Sequence, residues 1–165
     1  MMNQPDILLL YKYNHWSSQK IINAAAQVTP EQYLAPAAFP HGGLRGTLVH
    51  ALFAQWVWHM RWEGTSPTER LKPDDFPTFE SLRVRWEADE NKLLAFINGI
   101  TDERLNERFS YKSTDGNPHE RILWQAMAHV INHSTQHKTE AAALLTDFGH
   151  SPGDIDLIVY LTENQ

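Results

Sequence analysis

The sequence contains no cysteine. Disulfide bonds, thiolate metal sites and a cysteine nucleophile are therefore excluded, and any metal or catalytic chemistry falls to histidine, aspartate and glutamate. The absence of cysteine is also typical of proteins in a reducing compartment. We therefore expect a cytoplasmic protein.

Long apolar runs and clusters of basic residues are also missing. No stretch approaches the roughly 18 apolar residues of a membrane span, and the N-terminal residues lack the basic-then-apolar pattern of a signal peptide. The formal net charge is −6, whereas nucleic-acid-binding proteins usually present a basic face to the phosphates. We expect no membrane and no nucleic-acid partner, which leaves a small-molecule substrate.

The remaining composition is that of an ordinary globular protein. The chain has 165 residues, of which 42% are hydrophobic and 21% charged. This length suits one domain with a real core, and two independent domains would be cramped. The sequence predicts a single domain over residues 1–165.

Apolar residues recur at helical spacing through most of the chain. Together with helix-capping residues and Gly or Pro stops, this spacing predicts long helices over residues 6–27, 44–62, 79–99 and 118–148, and a short one within 154–161. Pro and Gly make 32–46 an irregular connector. Residues 108–117 look like a short extended stretch and turn, too short for a sheet. We predict an all-α four-helix bundle with a long crossover connection and a short C-terminal helix.

Three of the nine histidines follow one another at intervals of four residues. Because four residues return a helix to nearly the same face, His129, His133 and His137 lie on one stripe. Ala126 and Leu144 share this stripe, which indicates that it faces the interior. Two imidazoles at positions i and i+4 can bind one metal ion, so the pattern predicts half of a metal site.

The other half must come from another helix, and His50 is the best candidate. It shares a helix face with Phe53 and Val57, whereas His59 lies on roughly the opposite face. The ordinary role of a lone histidine on an apolar face, such as His50, is that of a hydrogen-bonded core residue. The role of His129 stays open: it can replace His137 as a ligand, lie behind the ligands or simply pack. The remaining histidines are expected to have surface, turn or packing roles; they are His15, His41, His59, His119 and His150.

Three segments resemble the DinB-like (DinB/YfiT) family of metalloenzymes, in the right order and over nearly the whole chain. They are residues 13–20, 44–50 and 129–138. The resemblance implies metal ligation by His50, His133 and His137. Where the family often has His-His-Arg-Gly-Gln, this chain has Gln-His-Lys-Thr-Glu, ending at Glu140. Glu140 is thus a candidate catalytic residue: a fourth ligand, a base for a bound water, or only a partner for Lys or Arg.

The family resemblance also implies a function. Relatives bind nickel, zinc or a similar divalent ion, often form homodimers, and include thiol-dependent transferases. We therefore expect a metal-dependent enzyme of thiol-transferase or hydrolase type, with a low-molecular-weight thiol as a candidate cosubstrate. Because the chain has no cysteine, the nucleophile would be external, either water or that thiol. The alternative is a non-catalytic metal-binding dimer that serves in stress or interaction.

Aromatic side chains surround the second predicted helix, which has almost no polar face. They are Phe53, Trp56, Trp58 and Trp62. A helix this apolar either contributes to a dimer interface or forms extra core and pocket wall. Together with the homodimers that relatives often form, this apolar helix predicts a homodimer.

Overall fold

The computed structural model describes residues 2–164, and within that range the chain is mostly helical. Its elements are α1 (Gln4–Ala25), α2 (Pro30–Leu34), α3 (Leu44–Trp62), α4 (Phe79–Gly99), α5 (Asp102–Asn106), β1 (Arg108–Lys112), β2 (Pro118–Ile122), α6 (Leu123–Asp147) and α7 (Leu157–Glu163). The long helices α1, α3, α4 and α6 form the bundle, and α7 is the short C-terminal helix. The predicted all-α bundle is confirmed.

Side-chain caps define where several of these helices begin. The Asn3 side chain accepts a hydrogen bond from the Asp6 amide at the start of α1, and Thr78 accepts one from Ser81 at the start of α4. Such caps satisfy backbone N–H groups that have no partner within the helix. Helix α4 therefore begins at residue 79, where the sequence predicted it to begin.

The segment before α6 corrects the sequence prediction. Residues 118–122 do not start the helix; they form β2, which pairs antiparallel with β1 so that Arg108 faces Ile122. The prediction that residues 108–117 are too short for a sheet was therefore also wrong. Gly116, at φ +84°, allows the turn that folds the chain back. The pairing gives these backbone groups partners, so Pro118 starts a strand rather than a helix.

Two short helices were not predicted from the sequence. Helix α2 precedes and overlaps the connector expected to be irregular, and its Thr29–Gln32 capping box satisfies the exposed backbone groups at its start. Helix α5 is capped by Thr101. Both have five residues, too few for a periodic apolar pattern to be recognised.

The four long helices pack in a closed ring in which α6 contacts α3 and α1, and α4 contacts α1 and α3. Contacts of Trp58 with His129 and of His50 with His133 make α3 and α6 antiparallel. Helices α3 and α4 run parallel, so residues 63–78 form the long crossover between them. Among the described residues, no helix is both long and apolar enough to cross a membrane.

A layer of buried polar side chains divides the core. Each long helix contributes at least one residue to it, and the layer consists of Asn14, Ser17, Ser18, Gln55, Glu90, Ser134 and Lys138. One apolar cluster, which includes Leu48 and Trp86, lies on one side of the layer. The other, which includes Trp62 and Met127, lies on the opposite side. The core is thus two apolar halves with a polar layer between them.

The Lys138 ammonium is the main hydrogen-bond donor of this layer. Lys138 is only 2% exposed, and its Nζ donates to the Oδ1 of Asn14 at 2.8 Å and to the Oγ of Ser17. Burial lowers the pKa of Lys138 to about 7, although the nearby Glu90 carboxylate acts in the opposite direction. These contacts join α6 to α1 in the middle of the bundle.

Replacing Lys138 by Met should destabilise the protein. The substitution keeps the length of the side chain but leaves buried oxygens of Asn14 and Ser17 without a donor, which costs about 1–3 kcal/mol in the free energy of unfolding. Urea unfolding of Lys138→Met measures the effect. Lys12→Met, on the exposed face of α1, is the matched control and should change stability by less than about 0.5 kcal/mol. Equal changes in the two variants would contradict the anchoring role of Lys138.

Candidate metal centre

Four histidines converge between α3, α6 and the loop that precedes α3. His50 lies on α3, His133 and His137 lie one turn apart on α6, and His41 lies in the loop. Ligand nitrogens of His41, His50 and His137 lie within 4.8 Å of one another. The Nε2 atoms of His133 and His137 are 3.2 Å apart. The three histidines selected from the sequence therefore lie together, and His41 joins them.

His41 was expected to have an ordinary surface or turn role, and its place in the cluster was missed. Its φ of +43° turns the chain so that the loop folds back against the start of α3. A Cβ at position 46 would overlap the carbonyl oxygen of His41, so Gly46 is what permits this close approach. The only signal in the sequence was the pair of glycines that follows His41.

The orientations of the rings distinguish between the two overlapping sets of three histidines. The lone pair of an imidazole nitrogen lies in the plane of its ring. His41 stacks on His50 with ring centroids 4.0 Å apart and planes only 14° apart, so an ion cannot lie in both planes. The planes of His133 and His137 differ by 64°, and those of His50 and His137 by 79°. Inclined rings can direct their nitrogens to one point, which favours His50, His133 and His137 and gives His41 a covering position.

Glu140 holds the outer nitrogen of His137. Its Oε2 lies 2.6 Å from His137 Nδ1, and its Oε1 accepts a hydrogen bond from Gln136. Burial opposes the charge on Glu140, but the contacts with His137 and Gln136 prevail and lower its pKa. The ionised carboxylate accepts the Nδ1 proton, which leaves the Nε2 lone pair of His137 free to bind a metal. This contact gives Glu140 a role that the sequence did not predict, that of a partner that orients a ligand.

The imidazoles of His41, His50 and His133 favour the neutral form that metal ligands require. Burial, followed by repulsion from neighbouring histidines, lowers the pKa of both His50 and His133 to about 4. Burial also lowers the pKa of His41. The donor set, the neutral state favoured at His50 and His133 and the orientation of His137 all fit a first-row divalent ion.

The other candidate histidines lie outside the cluster. The ring of His129 is 5.7 Å from that of His133 and contacts Trp58 edge to face. His59 is buried on a different face of α3, against Phe96 of α4. Neither contributes to the convergent nitrogens.

The cluster opens to the surface on one side. Exposure increases from the buried His137, through the half-buried His50, to the exposed His41. A cavity of about 230 Å³ beside His41 and His50 is lined further by Phe53, Arg70 and other residues of the crossover. A small molecule therefore has a path to this end of the cluster.

Comparison with known proteins gives the same family as the sequence motifs. The DinB family model matches residues 1–165. The chain is similar to the "Protein DinB" of Bacillus subtilis (strain 168), with 22% identity over 170 residues that cover 94% of this chain and 95% of the relative.

The metal-free protein should lose stability in mild acid. Folding lowers the pKa of His50 and His133 to about 4, whereas in the unfolded chain both have a pKa of about 6.5. As the pH falls from 6.5 towards 4, the unfolded chain takes up protons that the folded protein excludes, and the free energy of unfolding decreases. Urea midpoints of chelator-treated protein at several pH values measure this loss. The His50→Gln/His133→Gln variant should lose less over the same range, and an identical loss would contradict the assignment to these two residues.

Proposed function

The chain belongs to the DinB family, and from this premise we propose that it binds one divalent metal ion through His50, His133 and His137 and acts as a metal-dependent enzyme of thiol-transferase or hydrolase type. The observation that carries the proposal is the convergence of inclined imidazole rings from α3 and α6, with the second nitrogen of His137 held by Glu140. Zinc or nickel is the proposed ion, because both accept imidazole nitrogen readily.

An open site supports catalysis over a purely structural role. Structural zinc sites are usually closed by four protein ligands, whereas catalytic sites have three and keep a position free. Here three histidines face inward, and the cavity beside His41 and His50 connects them to the surface. A divalent ion at this point would supply a Lewis acid that lowers the pKa of a bound water or thiol.

The protein side chains supply binding and orientation. Glu140 fixes the tautomer and direction of the His137 ring, and the stacked ring of His41 covers one side of His50. Phe53 lines the cavity with an apolar surface that limits access of water. Because the chain has no cysteine, the thiol of a transferase reaction would come from a low-molecular-weight cosubstrate.

The alternative function is a non-catalytic metal-binding protein for stress or interaction. In that case the ion would join α3 to α6, and the histidines from both helices would support this role equally well. The homodimer and the cytoplasmic location also stay proposals. The half-buried Phe53 and Trp56 on α3 are consistent with an interface, and the absence of cysteine with a reducing compartment.

Metal uptake tests the proposed ligands. Protein purified without an affinity tag should bind about one zinc or nickel ion per chain, and His50→Ala, His133→Ala and His137→Ala should each abolish uptake, because two remaining imidazoles hold an ion far more weakly. His129→Ala, one turn from His133 on the same helix, is the matched control and should retain the metal. His41→Ala should also retain it. Loss of metal in His41→Ala with retention in His133→Ala would show that the ligand set is wrong.

An activity measurement distinguishes the proposed enzyme from the alternative of a non-catalytic metal-binding protein. Zinc- or nickel-loaded protein should accelerate the reaction of a low-molecular-weight thiol with an electrophilic acceptor, or the hydrolysis of that acceptor, and His133→Ala should not. His150→Ala, which removes a histidine that belongs neither to the cluster nor to its cavity, serves as the control. Equal rates for the wild type and His133→Ala with every thiol, and with water alone, would leave the non-catalytic alternative.

A further inference from the structure

A second cavity lies in the groove that α3 and α6 form beside the hairpin of β1 and β2. It has a volume of about 400 Å³ and is lined by Trp58, Tyr111, Arg121, Gln125, Ala126 and His129. This volume is in the range that binds small organic molecules. His129 links the cavity to the histidine cluster, because its ring lies 5.7 Å from that of His133.

The walls of this cavity combine an apolar surface with positive charge. The chain has a net charge of −6, yet none of the six lining residues carries a carboxylate. Arg121, on β2, donates to the backbone carbonyl of Glu120. Within residues 2–164, no carboxylate forms an ion pair with its guanidinium. An anion entering the cavity would thus meet a cation whose charge is not already neutralised.

A second guanidinium lies directly behind the aromatic wall. Arg61 is only 6% exposed, and its central carbon lies 4.8 Å from the centroid of the Trp58 ring and 5.1 Å from that of Tyr111. Its Nε has no hydrogen-bond partner, and none of the described carboxylates pairs with it. The two aromatic rings stabilise this buried charge, and it adds to the positive potential of the cavity.

We propose that this cavity binds the anionic end of the substrate or cosubstrate, a carboxylate carried on an apolar body, so that the other end of the molecule reaches the histidine cluster. The inference rests on the proposed function, since it assigns a ligand class to the same site. Arg121 would bind the carboxylate, for which the guanidinium geometry is well suited. Trp58 and Ala126 would contact the apolar body.

The geometry of α6 sets the size of such a ligand. Gln125 lines the cavity and His133 belongs to the cluster, and the two residues are eight positions apart on α6, about 12 Å along the helix axis. A molecule that spans this distance is about the size of a dipeptide. The ligand class is therefore a small carboxylic acid with its reactive group at the far end.

Binding of 4-phenylbutanoate, compared with its neutral amide 4-phenylbutanamide, tests the inference. Titration calorimetry on zinc-loaded wild type should show the carboxylate binding at least tenfold more tightly than the amide. Arg121→Gln should weaken carboxylate binding at least tenfold and leave amide binding unchanged. Arg108→Gln is the matched control, because it removes an equal charge from the same hairpin outside the cavity, and it should bind both probes as the wild type does.

His133→Ala separates the cavity from the metal site. If the cavity holds the carboxylate, the zinc-free His133→Ala variant should still bind 4-phenylbutanoate, with an affinity within about threefold of that of the wild type. Loss of binding in His133→Ala but not in Arg121→Gln would place the carboxylate on the ion and overturn the inference, as would equal binding of both probes by the wild type. Failure of the proposed function has a different signature from failure of this inference. The wild type would then take up no zinc, and binding of the probe to the metal-free protein would still be measured.

Discussion

The contact of the buried Lys138 ammonium with Asn14 and Ser17 is the constraint on which the histidine cluster depends. Lys138 directly follows His137, and consecutive residues on a helix point about 100° apart. Fixing Lys138 towards α1 therefore fixes the rotation of α6 that directs His137 towards α3. The same contact fixes the position of α6 along its axis relative to α1. A polar interaction between α6 and α1 thus positions the histidines on the side of α6 that faces α3.

The groove between α3 and α6 gains its further features from segments outside the bundle. The loop before α3 brings His41 over one end of the groove, and the hairpin brings Tyr111 and Arg121 over the other. The hairpin is held against the crossover, where Ser66 accepts a hydrogen bond from the Lys112 amide. The rigid helices therefore carry the convergent nitrogens, and the connections carry the side chains that surround them. This division is common in proteins whose specificity lies in loops on a fixed scaffold.

Local rules predicted the parts of the site that lie within long helices. The spacing of His133 and His137 and the position of His50 follow from helical periodicity, so their proximity was predictable once a bundle was assumed. His41 was not, because its approach depends on a positive φ and on the missing side chain of Gly46, which act through tertiary contacts. Residues 118–122 were predicted as a helix start because local rules do not include tertiary contacts. Their strand pairing with residues 108–112 is a longer-range contact that outweighs local preference.

The polar layer has a consequence for how sequence changes combine. The two apolar halves of the core share few direct neighbours, since buried polar groups lie between them. Changes at well-separated sites without common partners have additive effects on stability. The half around Leu48 and Trp86 can therefore vary largely independently of the half around Trp62 and Met127, and epistasis between them must pass through the layer. Residues such as Asn14 and Lys138 are then expected to be the positions whose tolerated substitutions depend most on the rest of the sequence.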